Sequence, residues 1–386
     1  MKKIIFWLLI FLIPTQLGLH FWPDFSFVAG FKIDYLSPTI YLTDLILIVY
    51  LIFSWKKPAI NPLFFILIII NIFFSTQPLL SLFFWSKLSL YFLLFFSLLE
   101  VRNLKKLIYT PLLASTILVI LIQFVQLYLQ KSISGPLYLL GERAFNFYTP
   151  NIAKLNLGNL GLIIRPYSIF SHPNSLAGYL LIVLVIQKWS KPIKALISVA
   201  IVLTFSKAAI LTLIFLQIKN IKILRKTIVV ALLAGLLPLL VIFTNINYIP
   251  GDSFLTRAYM GYPTLEIIKQ NFFTGTGLRA FIPSLAKHLS PSYLSHSSLQ
   301  PVHSLPLLML SELGIFGLVL LATIIKKFEN PLLIQILLVV ALTGAVDHYW
   351  WTLPQNQLIL ILALALTSHR HSRAGGNLYK SNAKNK

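Results

Sequence analysis

Arginine and histidine recur in this chain where polar segments meet apolar ones. Arg165 opens the run Arg165-Pro-Tyr-Ser-Ile-Phe-Ser-His172-Pro173-Asn174, which passes directly into an apolar stretch. Arg257 lies in Leu255-Thr256-Arg257-Ala258-Tyr259, and His303 opens the apolar stretch after Gln300-Pro301-Val302. A guanidinium keeps its charge and grips phosphate oxygens with a planar fork. An imidazole titrates near neutral pH and can act as a general base. Delivered by two loops to the ends of apolar segments, these groups point to an active site at a membrane surface. Each has a plainer reading too: an interfacial arginine reaches for lipid phosphates, and His303 caps its helix.

Other residues could join them. His172 suits fixing a turn, and Pro173-Asn174 suits a helix start. Lys207, in Thr204-Phe205-Ser206-Lys207, sits in the middle of an apolar run. Glu312 lies nine residues into the stretch that His303 opens; an acid inside a span is a functional candidate by default, and Lys207 or an arginine could pair with it. Gly275-Thr276-Gly277-Leu278-Arg279 is a short Gly-x-Gly without a preceding strand or a third glycine. It reads as a tight loop, or as backbone N–H groups facing an anion. Asp347-His348, beside Tyr349-Trp350-Trp351, reads first as part of an interfacial aromatic belt, with orientation of a substrate hydroxyl as the alternative. No metal site, Asp-x-Asp pair or P-loop stands out, so neither a metal nor another cofactor is expected.

The elements that must position these residues are membrane helices. The chain is 57% hydrophobic and only 11% charged, whereas soluble domains carry about 25% charged residues. Its net charge of +22 sits in short clusters between apolar runs, a pattern of cytoplasmic loops rather than of a nucleic-acid surface. With no cysteines, thiolate chemistry is excluded. Apolar runs of about the roughly 20 residues a span needs predict an all-α, polytopic bundle of about 12 transmembrane helices over residues 1–368. Residues 369–386 read as a disordered cytoplasmic tail. The opening Met-Lys-Lys and its apolar run read as a first span that is retained. The run 193–218 has basic clusters at both ends, so it must cross an even number of times, as two short helices or a re-entrant hairpin turning at Ser206-Lys207. Two long extracytoplasmic loops, about 130–173 and 245–303, then hold the candidate residues.

Taken in order, these segments resemble the O-antigen ligase and O-antigen polymerase family of bacterial envelope glycosyltransferases. The elements that carry the resemblance are Arg165 with Phe170-Ser-His-Pro-Asn174, Leu203-Thr-Phe-Ser206-Lys207, Arg257 with Phe273-Thr-Gly-Thr-Gly277, and His303-Ser-Leu with Glu312-Leu-Gly314-Ile-Phe-Gly317. Ser304 stands where the family usually has Asn, and Lys207 where it usually has Arg. The resemblance implies metal-free, inverting transfer of a glycan from undecaprenyl diphosphate to a hydroxyl of a glycan, lipid or protein acceptor, on the outer side of the cytoplasmic membrane. It implies His303 as base, Arg257 and Arg165 as phosphate-binding catalytic residues, and His172, Asn174, Lys207, Gly275, Gly277, Arg279 and Glu312 as substrate-binding candidates. A polymerase of the same family differs only in its acceptor. A lipid-linked glycan flippase is the alternative of another class, and would bury charges along a path through the bundle.

Overall fold

A computed structural model describes residues 1–54, 62–238, 259–319 and 330–382, with side chains left out at 63, 160 and 369–382. The described chain is mostly helical. Apolar residues dominate each helix, and prolines open several at the first turn, where the missing N–H costs nothing: Pro78–Leu99, Pro173–Ile186 and Pro331–Gly344. The opening helix, Lys2–Phe11, buries Phe6, Leu9 and Ile10 in the main core. Among the described residues, two helices are long and apolar enough to cross a membrane, Pro78–Leu99 and Tyr109–Leu129. Others, such as Leu42–Ser54 and Pro331–Gly344, are apolar but shorter. Most of the expected spans are therefore drawn shorter than a bilayer-spanning helix, and a count of twelve does not emerge from helix length.

The run 193–218 shows why. It forms two packed helices, Lys191–Val202 and Lys207–Phe215, broken at Leu203–Ser206 with Phe205 in the left-handed region at φ 55°. At 1.5 Å per residue they rise only about 18 Å and about 14 Å, against about 30 Å of hydrocarbon. Both start or stop at the break, so the turn carrying Ser206-Lys207 lies where the sequence pattern puts it.

Among the described residues, strand is confined to three two-stranded antiparallel ribbons, which the all-α expectation did not include: Gly18–His20 with Thr39–Tyr41, Phe27–Val28 with Phe31–Lys32, and Lys154–Asn156 with Leu162–Ile164. All three fall in polar connections between helices, where the backbone lacks helical partners and pairs locally instead. The last helix, Pro354–Asn382, continues past residue 368 into the segment expected to be a disordered tail. Once an apolar helix is nucleated, each further residue costs little to add.

Buried polar side chains fix the connections. Gln126, near the end of Tyr109–Leu129, accepts the N–H groups of Tyr167 and Ser168 at 3.0 and 2.6 Å and donates to Glu142 at 2.7 Å. Glu142 in turn accepts the N–H groups of Ile133 and Ser134. The 130–173 loop is thereby folded back on the helix that launches it. The connection at 12–41, between Lys2–Phe11 and Leu42–Ser54, packs with residues 260–302, burying Ile33 and Leu36 with Phe281, Leu285 and Val302.

Candidate active site

The loop that Gln126 holds delivers Arg165 from the end of the Leu162–Ile164 strand, where its N–H bonds Ala153 O at 3.0 Å. The half-buried guanidinium donates from Nε to Thr204 O at 2.9 Å and from Nη2 to Asn174 Oδ1 at 2.7 Å. The first bond satisfies a carbonyl exposed by the break between the two short helices. Irregular backbone at that depth needs such a partner. The second ties Arg165 to the start of Pro173–Ile186. His172 caps that helix, its Nδ1 accepting the Asn174 N–H at 3.1 Å, so the turn-fixing reading of His172 describes its geometry.

Asn174 passes the chain of bonds onward, its Nδ2 donating to Asp347 Oδ2 at 2.8 Å. Asp347 is buried. Its Oδ1 accepts the His348 N–H at 2.8 Å and lies 4.0 Å from His303 Nδ1. The imidazoles of His303 and His348 pack with ring centroids 5.1 Å apart. Burial alone would push the Asp347 carboxyl up, but the nearby charges of His348, His303 and His172 and the Asn174 hydrogen bond outweigh it, and the group is held well below the usual carboxylate range.

Three chain-distant segments thus converge: Arg165 to Asn174, His303, and Asp347-His348. The first two were legible from residue type and position. Asp347 is the residue whose weight the sequence understated. Its signal was an acid next to a histidine between two spans, and three adjacent aromatics made a belt the simpler reading. His303, Asp347 and His348 also bring ligand atoms within 4.8 Å of one another, a set that could hold a metal ion and that residue spacing did not suggest.

Lys207 is exposed at the first turn of its helix, behind the Ser206 N-cap. Ser304 caps the Leu305–Leu313 helix and donates to Gly235 O at 2.6 Å, which fixes the backbone immediately after His303. Arg257 lies outside the described residues.

The remaining candidates gather elsewhere. The N–H groups of Gly275, Thr276 and Gly277 bond the carbonyls of Asn271, Ser311 and Glu312 at 2.8, 2.8 and 3.1 Å. Asn71 adds a bond to Glu312 O at 2.9 Å. The Gly-x-Gly loop therefore caps the C-terminus of Leu305–Leu313, whose last carbonyls need partners. Its N–H groups do not face an open site. Gly275 at φ 70° would place a Cβ against the Glu312 carbonyl, and Gly277 at φ 96° against Ser75 and Ser81. Gly275→Ala and Gly277→Ala are each expected to cost at least about 1–3 kcal/mol, read as a lower thermal midpoint in detergent. Weakened donor binding at an unchanged midpoint would restore the anion-binding reading.

The Glu312 carboxylate accepts from Trp351 Nε1 at 2.7 Å and from the backbone N–H groups of Arg279 and Phe281. Of its two expected partners, Lys207 is exposed on another helix, whereas the charge of buried Arg279 acts on Glu312. Buried Arg279 stacks over Phe84 and donates to Thr352 O. Thr352 Oγ1 lies 2.8 Å from His348 Nδ1. This second cluster thus braces, from behind, the 347–352 strap that carries Asp347.

Residues 192–322 match the model of a family described as O-antigen ligase. No curated protein and no solved structure matches the chain. The matched segment contains Lys207 and His303, whereas Arg165, Asn174 and Asp347 lie outside it and reach His303 only through the fold.

Proposed function

We propose that this chain, which carries an O-antigen ligase family segment over residues 192–322, is a membrane glycosyltransferase. It moves a glycan from undecaprenyl diphosphate to an acceptor hydroxyl at the outer face of the cytoplasmic membrane. The observation that carries this reading is the hydrogen-bonded chain from Arg165 through Asn174 to Asp347, whose Oδ1 lies 4.0 Å from His303 Nδ1. A phosphate-gripping cation and a base are held on one framework, as a reaction with a diphosphate leaving group and a hydroxyl nucleophile requires.

In the proposed step the acceptor hydroxyl loses its proton to His303 as its oxygen bonds the anomeric carbon. The bond from that carbon to the diphosphate oxygen breaks, and undecaprenyl diphosphate leaves with its electrons. Asp347 offsets the imidazolium charge that forms, as a preorganised carboxylate does. Arg165, with Arg257 as its second expected partner, offsets the charge growing on the diphosphate. A single displacement of this kind inverts the anomeric carbon. Asn174 contributes by holding the Arg165 side of the site, and Lys207, exposed beside the break that Arg165 bonds, is a candidate for the donor.

Because cations fill the role of a Lewis acid, transfer is expected to run undiminished in EDTA. The test is release of undecaprenyl diphosphate by purified protein in nanodiscs, supplied with a lipid-linked oligosaccharide and candidate acceptors. Loss of activity in EDTA, restored by a divalent cation, would move the role of His303, Asp347 and His348 from proton transfer to metal binding. An anomeric centre retained in the product would remove the single-displacement step. The structure of the product separates ligase from polymerase.

A further inference from the structure

A cavity of about 600 Å³ lies beside the catalytic cluster. That volume falls within the roughly 300–1,000 Å³ of small-molecule sites. Its walls come from the 12–41 connection, the 138–143 turn, Pro78–Leu99 and the 351–357 segment. It touches the cluster at two points. The Tyr35 ring packs edge-on at 5.4 Å from the His348 ring, and Thr352 reaches His348 Nδ1. Ser171, the neighbour of His172, also lines it.

The lining says what would fit. Aromatic faces come from Tyr35, Tyr41, Phe84, Tyr138 and Trp351. The charges are largely matched within the protein. Lys87 pairs with Asp44 at 2.9 Å, the Arg279 charge is offset by that of Glu312, and Glu142 already accepts three hydrogen bonds. Arg143 and Asp34 leave one further charge of each sign. A diphosphate would find no net positive well here. A sugar would find apolar faces for its C–H surface and polar edges for its hydroxyls. The buried Ser171 Oγ has no hydrogen-bond partner among the described residues. A buried hydroxyl left so is costly unless something else occupies it.

We infer that this cavity is the acceptor subsite, and that it takes the carbohydrate end of the acceptor, stacking a sugar ring on its aromatic wall and hydrogen-bonding Ser171. The assignment rests on the transferase reading above and adds to it a place and a substrate class.

The test is saturation-transfer NMR of the protein in nanodiscs with glucose, galactose, N-acetylglucosamine, cellobiose, lactose and chitobiose. At least one saccharide is expected to bind the wild type. Tyr138→Ala, at a ring 68% exposed and safe to trim, is expected to weaken that binding by about two- to tenfold. Ser171→Trp is expected to abolish it by filling the space. No saccharide binding to the wild type overturns the assignment, as does binding that both variants keep. Should Ser171→Trp fail to fold, Tyr138→Ala decides alone. Undecaprenyl diphosphate release in the separate assay decides the transferase reading whichever way the saccharides go.

Discussion

His303→Ala is expected to reduce glycan transfer by about 10²- to 10⁴-fold while leaving protein abundance and donor binding close to wild type. His303 is about one-fifth exposed, and the backbone that follows it is held independently by the Ser304 bond to Gly235 O. Its removal should therefore take away the base and little else. The measurement is undecaprenyl diphosphate release under single-turnover conditions, set beside equilibrium binding of the lipid-linked donor. Turnover lost together with donor affinity would make His303 a donor ligand. Turnover retained would leave the chain without the base proposed for it.

Asp347→Asn is expected to lower turnover by on the order of 10²-fold or more, the scale on which wrongly oriented bases fail. Asp347 uses Oδ1 for the His348 N–H and Oδ2 for Asn174 Nδ2. Asparagine offers one oxygen, so its amide must point at one of those two donors. Rotating the Asn174 amide to compensate would turn its nitrogen toward Arg165 Nη2 and break that bond instead. The mismatch cannot be absorbed within the chain, and a buried unsatisfied donor costs about 1–3 kcal/mol. The variant should lose stability as well as rate, and lose kcat more than acceptor KM. A change in acceptor KM alone would move Asp347 out of this role.

The pH dependence follows from the same carboxylate. Its value is depressed in the folded protein, so its stabilising contribution is present above the ordinary carboxylate value of about 3.9. That contribution is lost only as pH falls through the lower folded value. An acid limb between about pH 5 and 8 therefore belongs to a histidine, and the wild-type profile is expected to fall there while the fold stays intact.

Parts of this were legible without coordinates. Pro173-Asn174 announced a helix start because capping is local chemistry, settled within three or four residues; the start at His303 was placed to within one residue, the cap being Ser304 rather than the histidine. The break at Thr204–Ser206 was legible because basic clusters at both ends of one apolar run admit only an even number of crossings. The helix lengths were harder. Hydropathy reports which residues avoid water, and it does not report where Gly314 and the 272–278 loop end the Leu305–Leu313 helix by taking its carbonyls. The ribbons were missed because two or three paired residues leave no alternating pattern to read.

The sequence by itself determined the membrane character, the helical class and the candidacy of Arg165 and His303, because composition, charge placement and residue chemistry are properties of single positions and short windows. Only the tertiary structure decided that Asp347 joins those two, that Gly275 and Gly277 cap a helix, and that Glu312 is bonded by Trp351 and the Arg279 and Phe281 backbone. Each of those depends on contacts between residues from about 35 to more than 170 positions apart. The burial and hydrogen bonding that make such contacts favourable do not exist until the helices have packed.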